Sequence, residues 1–156
     1  MEKISTSELE QFLKKANKNT YANKDALKTP PSRLKSEDYQ FKEGELFYHD
    51  TYFGSRDFIG EEVVYKNDEP VWAMNYYGFV LKPEVSTNEA YTILRPALMQ
   101  DDKGIIPVRG PRVYQEGEKK YQNKVEGDLS RFSGVEEILM SGEIVYRALY
   151  HGGFIE

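Results

Sequence analysis

Between Asp38 and Leu81 apolar and polar residues recur with a period of two, interrupted at Glu43-Gly44, Gly54-Ser55 and Asn67-Asp68. A period of two places successive side chains on opposite faces of an extended chain, so the stretch is committed to strands. The interruptions are turn formers, and the gaps are far too short for a crossover connection. The chain must therefore run as an antiparallel meander, with strands at 39–42, 46–53, 57–66 and 69–81. In the second of these Leu46, Tyr48, Asp50 and Tyr52 share one face, and Phe47, His49, Thr51 and Phe53 share the other.

Two helices frame this pattern. Ser5 with Glu8 reads as a capping box, Ile4 and Leu9 as a hydrophobic staple, and Leu9, Phe12, Leu13 and Ala16 as one apolar face, giving a helix over about 6–17. Ser86 with Glu89 repeats the signal ahead of Ala90, Tyr91, Leu94, Ala97 and Leu98. Pro96 is expected to kink that helix or end its regular part early. Residues 18–37 form an irregular connector and 101–111 a loop. Strand periodicity then returns: 112–115 and 119–124 as a short, polar, exposed hairpin, 132–140 as a longer strand, and 143–150 as the last, ending at His151-Gly152-Gly153. The order α-ββββ-α-ββββ implies an α+β fold: a bent antiparallel sheet of seven or eight strands in two hairpin series, with both helices on its concave face. Residues 1–156 form a single domain. The two halves resemble each other in outline, without a residue-by-residue match.

Composition narrows the function. The net charge of −5 and dispersed basic residues argue against direct nucleic-acid binding. Lys14, Lys15 and Lys18 complement the dipole at the end of the first helix. No Cys is present, which removes disulfides, thiolate metal sites and a cysteine nucleophile. No membrane span and no apolar leader are evident, so a cytoplasmic location is expected. Glycine-rich phosphate loops and hydrolase motifs are absent, and no cofactor is expected. The two His residues are far apart, and His49 and Asp50 point to opposite faces, so no metal site is expected either.

What remains is a set of polar residues among apolar strand neighbours. Asp50 shares a face with Leu46, Tyr48 and Tyr52. Glu61 shares one with Ile59 and Val63, and Glu62 the other with Phe58 and Val64, so an acid interrupts whichever face points inward. Glu136 lies between Phe132 and Ile138 at the same spacing. A buried carboxylate requires a partner. Arg109, Arg131, His151 and tyrosine hydroxyls are candidates, and Asn75 and Tyr77 add polar groups on the long strand. The candidate ligand-binding set is thus Asp50, Tyr52, Glu61, Glu62, Asn75, Tyr77, Arg109, Arg131, Glu136 and His151. Solvated edges or structural ion pairs are the competing account of the acids.

Several stretches together resemble an uncharacterised bacterial family of unknown function. They are Asp50-Thr51-Tyr52-Phe53-Gly54, 57–64, and Pro70-Val71-Trp72-Ala73-Met74-Asn75-Tyr76-Tyr77-Gly78. Arg109-Gly110-Pro111, 127–132 and Tyr150-His151-Gly152-Gly153 continue the resemblance. That family also occurs fused behind helix-turn-helix domains in bacterial regulators, which implies a sensor or effector role and carries no established catalytic residues. Three readings follow: a small-molecule binding or sensing domain, a small hydrolase or isomerase using a carboxylate with His151, or an interaction module that forms a homodimer.

Overall fold

The computed structural model of the protein describes residues 4–101 and 104–156. Helix α1 (Thr6–Asn19) starts where Ser5 accepts the Glu8 amide at 3.2 Å. The Glu8 carboxylate does not reach back to the cap but pairs with Lys66 at 3.0 Å, so only half of the expected box forms. Helix α2 (Thr87–Leu98) carries the full box between Ser86 and Glu89. Pro96 lies inside α2, and the helix continues through it to Leu98 instead of ending there. Leu9, Phe12, Leu13 and Ala16 of α1 and Ala90, Ile93, Leu94, Ala97 and Leu98 of α2 are buried, as their helical spacing requires.

The strands are β1 (Glu37–Glu43), β2 (Leu46–Gly54), β3 (Asp57–Lys66), β4 (Glu69–Val80), β5 (Val113–Glu116), β6 (Lys119–Asp128), β7 (Arg131–Met140) and β8 (Glu143–Phe154). They form one open antiparallel sheet ordered β1-β2-β3-β4-β8-β7-β6-β5. Two four-stranded meanders thus meet along β4 and β8, and the α+β expectation holds. Both helices pack on one face, α1 against β1 and β2, α2 against β6 and β7. Strand β5 is exposed, as its polar sequence suggests, but β6 is not wholly so: it extends to Asp128, with Tyr121 buried against α2 and Asn123 buried under the Gly110 carbonyl. Among the described residues no helix is long and apolar enough to cross a membrane.

The irregular segment between α1 and β1 is tied down at Asp38. Its buried carboxylate accepts from the Ser32 amide at 3.2 Å, from the Ser32 and Ser36 hydroxyls, and meets His49 Nε2 at 2.6 Å. Burial opposes ionisation of Asp38, but these hydrogen bonds outweigh it and hold the carboxyl well below the usual range.

The strand register also exposes an internal repeat that the sequence conceals. The Glu43-Gly44-Glu45 turn corresponds to Glu116-Gly117-Glu118, with glycine φ of 59° and 61°. Tyr48-x-Asp50 corresponds to Tyr121-x-Asn123, and Phe58-x-Gly60-x-Glu62-x-Val64 to Phe132-x-Gly134-x-Glu136-x-Ile138. Register shifts follow Val64 and Ile138 alike. Trp72-x-Met74-x-Tyr76-x-Gly78 corresponds to Tyr146-x-Ala148-x-Tyr150-x-Gly152. Tyr76 pairs with Tyr150 across the β4–β8 seam, which places a pseudo-two-fold axis there. Gly60 and Gly134 serve one purpose in both halves: an added Cβ would lie 2.3 Å from the Tyr76 hydroxyl and 2.1 Å from the Tyr150 ring. Only a residue without a side chain lets each tyrosine cross its neighbour strand.

Candidate functional site

Parity along β3 decides which acid turns inward. Phe58 and Val64 belong to the core face, so Glu62 does as well, and Glu61 faces out, 3.5 Å from Arg33. Asp50 stands opposite Glu62 on β2. Both are buried, at 2% and 5% exposure, in the floor of a cavity of about 200 Å³ between the first meander and the helices. Tyr48, Tyr52, Phe58, Tyr76 and Tyr146 line it from the sheet. Tyr21 after α1, Tyr91, Leu94 and Arg95 of α2, and Val108 and Arg109 from the loop behind α2 complete the walls, with Lys28 and Glu37 at one side.

The floor is a hydrogen-bonded set of carboxyls and phenols. Tyr76 donates to Asp50 Oδ1 at 2.6 Å, and the Tyr48 hydroxyl lies beside Glu62 and lowers its carboxyl pKa. Glu62 Oε2 has no hydrogen-bond partner. Burial pushes the Asp50 carboxyl up to about 7, against the pull of the Tyr76 hydrogen bond and the Arg109 charge. Burial, together with the Asp50 charge, pushes Glu62 up to about 8, opposed by Arg109 and Tyr48. Desolvation alone would weaken the Arg109 guanidinium's hold on its proton, but Glu136 and Glu62 outweigh it and keep the group charged. Burial and the neighbouring carboxylates raise the Tyr48 and Tyr76 hydroxyls well above their usual value, so they act as donors.

The same geometry recurs in the second meander. Tyr150 donates to Asn123 Oδ1 at 2.5 Å, and Tyr121 donates to Glu136 Oε2. Here the space above is filled. Arg109 Nε lies 3.4 Å from Glu136 Oε2 and its guanidinium 5.9 Å from the Tyr150 ring centre. The Gly110 amide donates to the Tyr121 hydroxyl, and the Gly110 carbonyl accepts from Asn123 Nδ2, both at 3.0 Å.

The cavity's upper wall is cationic and aromatic. The Arg95 guanidinium sits 4.9 Å from the Tyr21 ring centre, a cation–π distance. Lys28 lies 5.9 Å from the Tyr52 ring and pairs with Glu37 at 2.7 Å. Tyr91 donates to the Ser55 carbonyl at 2.5 Å, joining α2 to the β2–β3 turn.

A family model for a domain of unknown function, DUF5680, matches residues 50–155, more than half of the chain. The chain belongs to the DUF5680 family. No curated protein and no solved structure matches it. In this DUF5680 domain the matched span contains Asp50, Glu62, Arg109 and Glu136, while Tyr21 and Lys28 precede it.

Of the residues expected from sequence, the fold brings together Asp50, Tyr52, Glu62 and Arg109 around the cavity, with Glu136 directly behind Arg109. Glu61, Asn75, Tyr77, Arg131 and His151 lie on the opposite face of the sheet. Asn75 and His151 are neighbours across the β4–β8 seam, and His151 borders a shallow outer groove with Lys124, Glu126 and Arg147. Among the described residues His151 forms no ion pair with a carboxylate, and no three His, Asp or Glu converge as metal ligands would. Tyr48 and Tyr76 were legible as site residues, since they share the parity of Asp50 and Glu62. Tyr21, Lys28, Tyr91 and Arg95 reach the cavity through helix packing and a connector, and strand alternation carries no signal for them.

Proposed function

We propose that this DUF5680 domain is a small-molecule binding or sensing domain, with the cavity over Asp50 and Glu62 as its ligand site. The observation that carries the reading is the open cavity with two buried carboxyls, Asp50 and Glu62, at its floor, where Glu62 Oε2 has no partner. Leaving such a group unmatched costs about 1–3 kcal/mol, a cost that a ligand donor would remove. Tyrosine walls with a few placed polar groups are the usual composition of a ligand pocket. A sensor role in a bacterial cytoplasm accords with the resemblance to regulator-fused relatives. Acid–base chemistry, if present, would fall to Asp50 and Glu62, because His151 stands on the far side of the sheet. A dimerisation reading draws on one observation: Ile59, Tyr77 and Leu149 form an exposed apolar row across β3, β4 and β8.

A thermal-shift screen against metabolites tests the ligand reading. At a hundredfold excess over Kd a ligand adds about 2.7 kcal/mol, which raises Tm by roughly 5–10 °C in a chain of this size. The shift should disappear in Leu94→Phe, which enlarges a buried wall residue toward the cavity. Hits that survive Leu94→Phe but vanish in His151→Ala would place the ligand on the outer face and overturn the assignment.

A further inference from the structure

We propose that the cavity takes an organic cation, with an amidinium, guanidinium or primary ammonium group seated between Asp50 and Glu62 and a flat body held by the tyrosine walls. The proposal rests on the cavity being a ligand site and adds the chemical class of what fills it.

The molecule contains its own precedent. Around the pseudo-two-fold axis Tyr48, Asp50, Glu62 and Tyr76 correspond to Tyr121, Asn123, Glu136 and Tyr150. In the second set a guanidinium already occupies the place above the glutamate: Arg109 pairs with Glu136 and lies over the Tyr150 ring. A backbone amide and carbonyl from Gly110 satisfy the neighbouring Tyr121 and Asn123. The first set has the same glutamate and the same tyrosines; each glutamate keeps one oxygen without a hydrogen bond, Oε2 of Glu62 and Oε1 of Glu136, but Glu136 has the Arg109 ion pair against it whereas Glu62 faces an open cavity. By this correspondence the group that fits over Glu62 is a planar cation with N–H donors. The one polar change between the sets, Asp50 for Asn123, adds a second acid on the open side and strengthens the same preference.

The remaining charges separate by position: the acids lie at the floor, and Arg95, with no ion pair among the described residues, lies in the wall. Arg109 is the cation facing both carboxyls, and Glu136 behind it balances its charge. Lys28 is paired with Glu37 at the side of the cavity. Arg95 stacks on Tyr21, and its charge bears on the Tyr21 and Tyr91 hydroxyls. The floor therefore holds two acids beyond its internal ion pair. The volume of about 200 Å³ sets the ligand's size; a cavity of about 150 Å³ accommodates benzene, so one ring with a small substituent fits. Because the fold pushes Asp50 up to about 7 and Glu62 up to about 8, a cation that favours their ionised forms should bind more tightly as pH rises through that range.

Isothermal titration of the full chain with benzamidine, benzamide and benzoate tests this, since the three share a shape and differ in charge. At about pH 8 benzamidine should bind about tenfold or more tightly than either isostere, and its affinity should increase between about pH 6 and pH 9. The double variant Asp50→Asn with Glu62→Gln should lose the preference. Equal or tighter binding of benzamide or benzoate would overturn the cation assignment and leave the cavity's role as a ligand site standing. A benzamidine preference that persists in the double variant would move the cation elsewhere and overturn the proposal too. Failure of all three to bind at millimolar concentration overturns the cation class, and the metabolite screen then decides separately whether the cavity binds anything. The wild-type comparison needs no variant, so a folding defect in the double variant leaves the decision intact.

Discussion

Replacing Asp50 by Asn should make the folded protein more stable at neutral and alkaline pH, with a gain that grows as pH rises. Asp50 has an ordinary value of 3.8 that the fold pushes up to about 7. Between those values the unfolded chain has released the proton and the folded chain still holds it, so stability falls as pH rises. Each pH unit inside that window costs about 1.4 kcal/mol, and the full displacement corresponds to about 4 kcal/mol. From about pH 5 to pH 8 the wild type should therefore lose about 2–3 kcal/mol that Asp50→Asn does not. Glu62, pushed from 4.5 to about 8, acts in the same direction, and Glu62→Gln should show the same trend extended to higher pH. Asp38 has the opposite sign. Its carboxyl is held low, so its contribution is present above about pH 4 and lost only as pH falls further, outside this window. The assay is urea unfolding of wild type and variant at several pH values, read as the difference between the two curves. Asn123 in the second meander is the internal precedent that Asn can accept the tyrosine hydroxyl at this position. A difference that stays flat from pH 5 to pH 8, or a wild type that gains on the variant as pH rises, would refute the reasoning.

Gly60→Ala should push Tyr76 off Asp50 and cost about 1–3 kcal/mol in urea unfolding, and Gly134→Ala should do the same through Tyr150. Arg109→Met leaves Glu136 buried without its counter-charge and should cost about 3–5 kcal/mol, much of it recovered when Glu136→Gln is added. Alanine at Asn75, Tyr77, Arg131 or His151 should change stability by less than about 0.5–1 kcal/mol each and leave Tm shifts from cavity ligands intact.

Much of this architecture is legible in the sequence because alternation and turn residues are local signals. The four strands of the first meander, both helix starts and the acids Asp50, Glu62 and Glu136 follow from them. Alternation could not choose between Glu61 and Glu62, because both faces of that strand carry apolar residues; contact of Phe58 and Val64 with the core decides it. Parity did contain the answer for Asn75 and Tyr77. They alternate with Trp72, Met74 and Tyr76, and once those three fill the core both must face outward. The polar look of 112–124 holds for β5 and misled only for β6: Tyr121 is buried against α2 and Asn123 under the Gly110 loop, tertiary events invisible to local composition. The repeat escaped because the turn from Gly127 to Phe132 is one residue longer than that from Gly54 to Phe58, which shifts the spacing midway. The role of Arg109 is likewise tertiary, since its loop meets Glu136 only after both meanders join along β4 and β8.

The most direct test of the central claim is a crystal structure of the protein grown with a ligand that raises its Tm. The ligand should lie over Asp50 and Glu62, within hydrogen-bonding distance of Glu62 Oε2 and against the Tyr52, Tyr76 and Tyr91 rings. An empty cavity, with the ligand instead in the outer groove beside His151, would contradict it.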